Sequence, residues 1–549
     1  MTQVLPLVTE FNRFYWTAGA DGVLRLTQCA ACDALLHPPA PVCGYCRAQD
    51  TRVTEVEPTG VVVGCTVNHQ QWQPDLPTPY VIASVALDAD PRVRLTTNIV
   101  GCAPDDVHIG MRVTASFARH EDVWLVRFIP TGDPDQDELP VDDVDPEEVR
   151  RLIRPMARAE RYEDKVAITG IGMTPPGRRL MTDPLALATK ASLAAVEDAG
   201  LSLDDIDGLS TYPGRSPVGG FSEGGVTAIA DALGLRPTWF NGAEETPGPG
   251  GSLVAAMLAV AAGLCRHVLC VRTVWQATYT ELLRTGRAEE PGGRVGPPMD
   301  LTAPYGALSA ANVLGVNASH YLHRYGASRE TFGWIALTER ANAARNPDAL
   351  YRTPITMADY LSARTVSTPF GLLDCDVPCD AAVAVVVSAA DTAGDLRQRP
   401  VLVEAVGTQI TERIAWDQST LSHEPQVFGP AAHLWSRTTM RPSDVDVALL
   451  YDGFTYNALC WLESLGFCGI GEAKDFLDGG RRIALDGELP LNPHGGQLSH
   501  GRTHGYGFVH EAVTQLRGAA GARQVTDARV AVVSSGGLTP ASCMLLTSG

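Results

Sequence analysis

The residues of this 549-residue chain whose types and spacing could do chemistry fall in two groups. The first is "CAACDALLHPPAPVCGYC", in which Cys29 and Cys32 form one Cys-x2-Cys pair and Cys43 and Cys46 form a second, ten residues farther on. Two such knuckles can close a tetrahedral thiolate cage around Zn²⁺ with no open position, which makes a structural metal site and not a catalytic one. His37 lies between the knuckles beside two prolines and reads as a loop residue. Most of the other cysteines among the 13 sit in apolar runs (Cys265, Cys270, Cys460), where buried free thiol is expected. The second group is "NPHGGQLSHGRTHGYGFVHEAVTQLRG", residues 492 to 518, together with the earlier "YDGFTY". A paired glycine and a polar turn carrying His500, Arg502 and His504 lead into Tyr506, where an amphipathic helix begins. Tyr456 ends "YDGFTY", just after an apolar run that reads as a strand. Histidine and tyrosine both move protons, although a single tyrosine is more often a packing residue.

The elements that must position these groups follow from the rest of the pattern. A chain of this length needs two to four domains. The runs "TGVVVGCTVNH", "PYVIASVALD", "VRLTTNIVG" and "MRVTASFARHEDVWLVRFIP" alternate valine and threonine between turn residues, and about five such strands suit a small OB-type barrel. Residues 133 to 148, "DPDQDELPVDDVDPEE", hold nine carboxylates and no base, as expected of a solvated linker. From Lys165 strands and helices alternate: "KVAITGIGM", "PLALATKASLAAVEDAG", "IDGLSTY", "SLVAAMLAVAAGLC", "HVLCVRTV". The order then repeats in "PVLVEAVGTQ", "GPAAHLWSRTTM", "VDVALLYDGFT", "GFVHEAVTQLRG" and "RVAVVSSG". Two copies of one strand–helix unit predict a layered α/β/α/β/α domain. The formal net charge of −20 argues against a nucleic-acid partner, since phosphate binding needs a basic surface. No basic, apolar leader opens the chain, and the longest apolar stretch, Leu253 to Leu264, is too short for a bilayer. A soluble cytoplasmic protein without a membrane partner is the expectation.

Two resemblances sharpen this reading. "FNRFYWTAGADGVLRLTQCAACDALLHPPAPVCGYC", "TGVVVGCTV", "PYVIASVALD" and "IGMRV", within residues 5 to 132, resemble the acyl-CoA-associated OB-fold proteins with a rubredoxin-like zinc ribbon. Residues 165 to 549 resemble the thiolase fold throughout, and the sterol-carrier-protein-x and lipid-transfer-protein branch in particular. The carrying residues are "RYGASRETFGWIALTERANAARNPDALYRTPITMADYLSARTVSTPFGLLDCDVPCDAAVAVVVS", "YDGFTY" and "NPHGGQLSHG". The expected fold class is therefore α/β, a duplicated thiolase fold behind a zinc ribbon and an OB barrel. Its expected divisions are residues 1–50, helix and ribbon; 51–132, OB fold; 133–164, acidic linker and helix; and 165–549, thiolase-like.

What that family needs for acyl transfer is missing. A thiolase places a nucleophilic cysteine at the N-terminus of its central helix, where the helix dipole lowers the thiol pKa. Here "EETPGPGGSLVAA" puts Gly248 at that position, and no residue from Asn241 to Ser252 is a cysteine. The second cysteine's loop reads "SSGGLTPASC", with Ser535 before the glycines and Cys543 too far along. Arg502 stands where the acid–base histidine would precede a proline. "YDGFTYNALCWLESLGFCGIGE" and "GGQLSHGRTHGYG" resemble instead the thiolase-like steroid side-chain aldolases, which lack the cysteine. That resemblance implies catalytic roles for Tyr456 and Tyr506. His500 and His504 are either proton-relay groups or loop residues.

The reaction implied is retro-aldol cleavage of a 3-hydroxyacyl-CoA, with a CoA thioester as substrate and Zn²⁺ as a structural cofactor. A steroid side-chain thioester is one candidate substrate. The rivals are a cysteine-independent thiolase or acyltransferase, and a non-catalytic acyl-CoA scaffold. The resemblance also implies a homodimer and an acyl-CoA hydratase partner. The acyl specificity is expected to lie in the loops "PVGGFSEGG" and "EEPGGRVGPPMDLTAPYG".

Overall fold

The computed structural model describes residues 3–549, apart from 74–75, 142, 217–218, 289–292, 414 and 538–539. Pro217 and Val218 of the first specificity loop, residues 289–292 of the second, Asp142 of the acidic segment and Leu538–Thr539 of the second-cysteine loop thus lie outside the described residues.

A short helix, Arg13–Thr17, precedes three antiparallel strands, β1 (Leu24–Cys29), β2 (Leu35–Leu36) and β3 (Thr51–Val56), in the order β2-β1-β3. Cys29 closes β1 and shares a small core with Leu36 and Cys43. Five strands follow: β4 (Thr59–Asn68), β5 (Tyr80–Leu87), β6 (Asp90–Thr97), β7 (Arg112–His120) and β8 (Val123–Pro130). They run β8-β7-β4-β5-β6, and a bridge between Ile99 and Phe128 brings the two ends together as a barrel.

Alternation along β4 explains why its sequence is apolar on both faces. Val62 and Val67 point into the barrel with Val85, Leu95 and Leu125. Val61 and Val63 point outward against Val316 and Leu421, residues of the C-terminal domain. That contact is reinforced by β13 (Thr365–Ser367) and β14 (Phe370–Gly371), which extend the barrel sheet through pairing of Ser367 with Asn68.

The C-terminal domain holds a nine-stranded sheet built from β9 (Val166–Met173), β10 (Gly208–Tyr212), β11 (Trp239–Gly242), β12 (His267–Trp275), β15 (Asp380–Ala389), β16 (Val401–Gly407), β17 (Val447–Leu449), β18 (Val530–Ser535) and β19 (Ser542–Ser548). The order β11-β10-β12-β15-β9-β16-β19-β18-β17 repeats outward from the β9–β16 junction, so β9, β15, β12 and β10 mirror β16, β19, β18 and β17. This is the duplicated thiolase fold. Strands β12 and β15 are buried over all but their last residue, which accounts for their unbroken apolar runs. The two central helices, Gly250–Ala261 and Tyr506–Leu516, each pack on strands of both halves.

The acidic segment is less solvated than its composition implies. Leu139 and Val141 pack beneath it against the inter-domain cluster, and the Asp143 carboxylate pairs with Arg324 at 2.6 Å. Its few apolar side chains tie the segment down. No described helix is long and apolar enough to cross a membrane.

Candidate active site

The two central helices start side by side. At the first, the Gly250 N–H donates to Ser535 Oγ at 2.8 Å, and Ser252 Oγ donates to the Pro249 carbonyl at 2.7 Å. At the second, the Tyr506 hydroxyl meets that same Ser252 Oγ at 2.7 Å. Since the serine proton is already committed to Pro249, the phenol is the donor. Gly248 has a left-handed φ of +63°, and a Cβ there would lie 2.8 Å from the Ser535 carbonyl oxygen. A cysteine therefore does not fit where a thiolase nucleophile would stand. Thiols elsewhere in this domain are held in the unreactive form by burial, which pushes Cys265, beyond the far end of the first helix, up to about 11 and raises Cys270 and Cys543 further.

Above these helix ends lies a cavity of about 220 Å³. Its wall includes Arg272 from β12, Tyr212 at the end of β10 and Phe221 beyond it, Tyr451 just past β17, and Arg502 and His504 from the loop before the Tyr506 helix. Glu244 stands at its exposed rim and Gly536–Gly537 form part of its floor. Two fixed guanidinium groups facing one small cavity make it receptive to an anion. Arg272 is 2% exposed and donates to the carbonyls of Tyr212 (3.0 Å) and Phe221 (2.8 Å). Arg502 donates to Gln276 Oε1 at 2.9 Å, and its Nε lies 2.8 Å from Asp376 Oδ2. That last approach is a charge contact and not an aligned hydrogen bond, since neither atom has a partner of good geometry. Burial pushes the Asp376 carboxyl up to about 6 against the opposing pull of Arg502.

The four residues expected to move protons are placed differently from one another. His504 faces the cavity, and burial together with Arg502 and Arg272 holds its imidazole well below the ordinary range. Tyr506 lies one layer beneath, reaching the cavity edge through Ser252 and Pro249. The structure does not bring Tyr456 there: its hydroxyl donates to the Ser422 carbonyl at 3.1 Å and its ring packs among Tyr321, Phe332 and Phe370. His500 is likewise sealed inside, with its ring on His494 at 5.2 Å and its pKa driven down to about 3 by burial. Both ring nitrogens of His500 lack a hydrogen-bond partner among the described residues.

At the other end of the chain the sulfur atoms of Cys29, Cys32, Cys43 and Cys46 converge within 4.8 Å of one another, with Cys29–Cys46 at 3.5 Å and Cys32–Cys43 at 3.7 Å. Tetrahedral Zn–S bonds of about 2.3 Å set sulfur atoms roughly 3.8 Å apart, so the cluster fits a structural zinc.

Comparison with known proteins finds relatives for both parts of the molecule. Residues 16–52 match the ChsH2 rubredoxin-like zinc ribbon family, 53–118 the ChsH2 C-terminal OB-fold family, and 420–547 the thiolase C-terminal domain-like family. The 17-hydroxy-3-oxo-4-pregnene-20-carboxyl-CoA lyase of Mycobacterium tuberculosis is 35% identical over 70% of this chain and 99% of its own length. The chain belongs to the thiolase-like family of lipid-transfer-protein aldolases. The solved structure of an Ltp2–ChsH2(DUF35) aldolase aligns with this aldolase-family chain at a TM-score of 0.62 and 31% identity, over 70% of this chain and 98% of the other. A probable enoyl-CoA hydratase alpha subunit of Thermomonospora curvata is 40% identical over 108 residues, 20% of this chain and 33% of its own.

Sequence reasoning missed Tyr451, Arg272 and Asp376 as neighbours of the aldolase-family cavity. Arg272 had a usable signal, a lone charge inside the continuous apolar strand "HVLCVRTV". Tyr451 opens the same "YDGFTY" motif, but whether its first or last tyrosine turns to the cavity depends on how β17 hands over to the next helix.

Proposed function

We propose that this protein is a carbon–carbon lyase that cleaves a 3-hydroxyacyl-CoA by retro-aldol reaction to a ketone or aldehyde and a shorter acyl-CoA. The observation that carries the reading is the closure of the nucleophile position by Gly248 against Ser535, beside a cavity that keeps phenol, imidazole and guanidinium groups. An enolate mechanism needs the latter and has no use for the former. The Cβ hydroxyl loses its proton, the Cα–Cβ bond breaks, and its electron pair enters the thioester as an enolate. A proton then arrives at Cα. The net change relocates one proton from the β-oxygen to the α-carbon, so a neutral phenol that gives one proton as it takes another is sufficient.

Tyr451, in the cavity wall, and Tyr506, one layer beneath, are the hydroxyls assigned to that transfer; Tyr506 takes part by passing its proton to Ser252 as Ser252 turns its own from the Pro249 carbonyl towards the cavity. Burial holds both phenols protonated, which suits such an exchange. Arg502, held by Gln276 and by the charge of Asp376, faces the developing oxyanion. The substrate is a bulky acyl thioester of the class that the relatives' names describe, with steroid side-chain thioesters first among them. Two copies are expected to pair through β11, an edge strand that carries Phe240 at 66% exposure. A hydratase is the expected partner, because hydration of an enoyl-CoA makes the 3-hydroxyacyl-CoA consumed here.

The test is incubation with a panel of 3-hydroxyacyl-CoAs without free CoA, following carbonyl product and shortened acyl-CoA. Cleavage only when CoA is added would favour the acyltransferase reading. Tight thioester binding without turnover would favour a scaffold.

A further inference from the structure

We propose that Arg272 is a positioning residue that fixes His504 in its Nε2–H tautomer, so that the imidazole works as a hydrogen-bond donor to the thioester oxygen instead of as a proton shuttle. The inference rests on the lyase reading for its catalytic half and on geometry alone for its tautomeric half.

A guanidinium carries N–H donors and no acceptor. Arg272 Nη2 is hydrogen-bonded to His504 Nδ1, so Nδ1 is the acceptor and carries no proton. The ring's one proton is then on Nε2. Protonating Nδ1 would set two N–H groups head to head beside a full positive charge.

Arg272 cannot turn away to accommodate that. Its other terminal nitrogen is bound by two backbone carbonyls, and its guanidinium carbon lies 5.1 Å from the Tyr212 ring centroid and 5.9 Å from that of Phe221. The imidazole is equally constrained. It stacks on Phe221 at 5.3 Å with planes 17° apart, and the backbone N–H of His504 donates to Gln497 Oε1 at 2.9 Å. His504 also has a left-handed φ of +49°, a backbone state that a non-glycine residue keeps only where its surroundings enforce it. The contacts just named enforce it, and they aim the ring at the cavity.

The titratable and charged groups around the imidazole are Arg272 from β12 and Arg502 from its own loop, with Tyr212, Glu223 and Tyr506 next to Arg272. Two cations against the ring exclude the imidazolium. Among the described residues Nε2 has no hydrogen-bond partner, which leaves that N–H for a ligand. A neutral imidazole of this kind polarises a carbonyl without surrendering its proton, as a fixed donor to developing negative charge does elsewhere.

The experiment is nitrogen NMR of the full-length protein labelled with ¹⁵N-histidine, with His504 assigned by loss of its signals in His504→Gln. The expected result is a bare Nδ1 and a protonated Nε2 that do not titrate between about pH 5 and 8. A protonated Nδ1, or titration within that window, overturns the proposal. Arg272→Met should mix the tautomers and lower kcat by up to about a hundredfold, the size of one lost oxyanion donor, with KM little changed. Arg272→Lys should restore part of both. If Arg272→Met leaves the tautomer unchanged, the positioning role fails while the lyase reading stands. If the wild-type protein cleaves no hydroxyacyl-CoA, the lyase reading fails and the tautomer measurement still decides the rest.

Discussion

A hydroxyl is a small thing to carry a reaction, and this chain has three tyrosines within reach of the argument. Tyr451→Phe and Tyr506→Phe keep the rings and delete only the proton-bearing atom. Each is expected to lower cleavage about a hundred- to ten-thousandfold with folding intact, as measured by product formation alongside a thermal melt. Tyr456→Phe should instead cost about 1 kcal/mol of stability and leave turnover near wild type, because its hydroxyl is bound to the Ser422 carbonyl and lies against Cys460, away from the cavity. Wild-type rates in both of the first two variants would refute the assignment. Asp376 adds a pH dependence. Its carboxyl is neutral below about 6 and charged above, so the pull that steadies Arg502 grows as pH rises through that value. The logarithm of kcat/KM should therefore fall on the acid side near pH 6, and Asp376→Asn should remove that limb. The linked effect on folding has the opposite direction. A carboxyl raised from about 3.9 in the unfolded chain stabilises the fold fully below that value, and loses the contribution as pH rises through about 6.

At the scale of elements, the approach of the Gly250 helix to β18 decides which reaction the scaffold can run. Gly248 is the contact point, and its left-handed backbone leaves no space on the side facing Ser535. Gly248→Cys, which returns a thiol to the thiolase position, should not return thiolysis. It should lower stability by about 1–3 kcal/mol through the unfavourable φ and the steric conflict, read by chemical denaturation. A variant that folded at full stability and gained CoA-dependent cleavage would show that the closure is not what excludes the nucleophile.

At the scale of the whole molecule, the barrel is not an independent module. Its core contains Leu301 and Tyr305 from the C-terminal domain, and the Asn98 side chain donates to the Tyr305 carbonyl at 2.9 Å. Arg94, buried in the barrel wall, donates to the Asp417 carbonyl at 3.0 Å, and Arg413 donates to the His37 carbonyl at 2.7 Å. Residues 1–132 expressed alone should therefore be poorly folded. Tyr305→Ala in the full chain should cost about 3–5 kcal/mol, as other large aromatic truncations do. A cooperative melt from the isolated fragment would contradict this. Metal analysis should find about one zinc per chain. Cys29→Ser should open the ribbon to proteolysis and reach the cavity of the C-terminal domain only indirectly, through the His37 contact. Neither zinc nor iron in stoichiometric amount would count against the cage.

The four cysteines, the two-fold repeat of strands and the absence of a cysteine from Asn241 to Ser252 were all written in the sequence. Each is a local pattern, a spacing or a period that needs no distant partner to be read. The apolar run "HVLCVRTV" likewise announced a strand, β12. Only the tertiary structure decided which residues meet. Arg272 and His504 lie 232 positions apart, and Ser252 and Tyr506 lie 254 apart. Tyr451 and Tyr456 stand in one six-residue motif, yet one turns to the cavity and the other to the core, because the chain passes from extended strand to helix between them. A side chain's direction at such a junction is set by the packing of both elements and not by the motif. For that reason the sequence determined the scaffold, the zinc ribbon and the lost nucleophile, while the fold alone chose the groups that face the cavity.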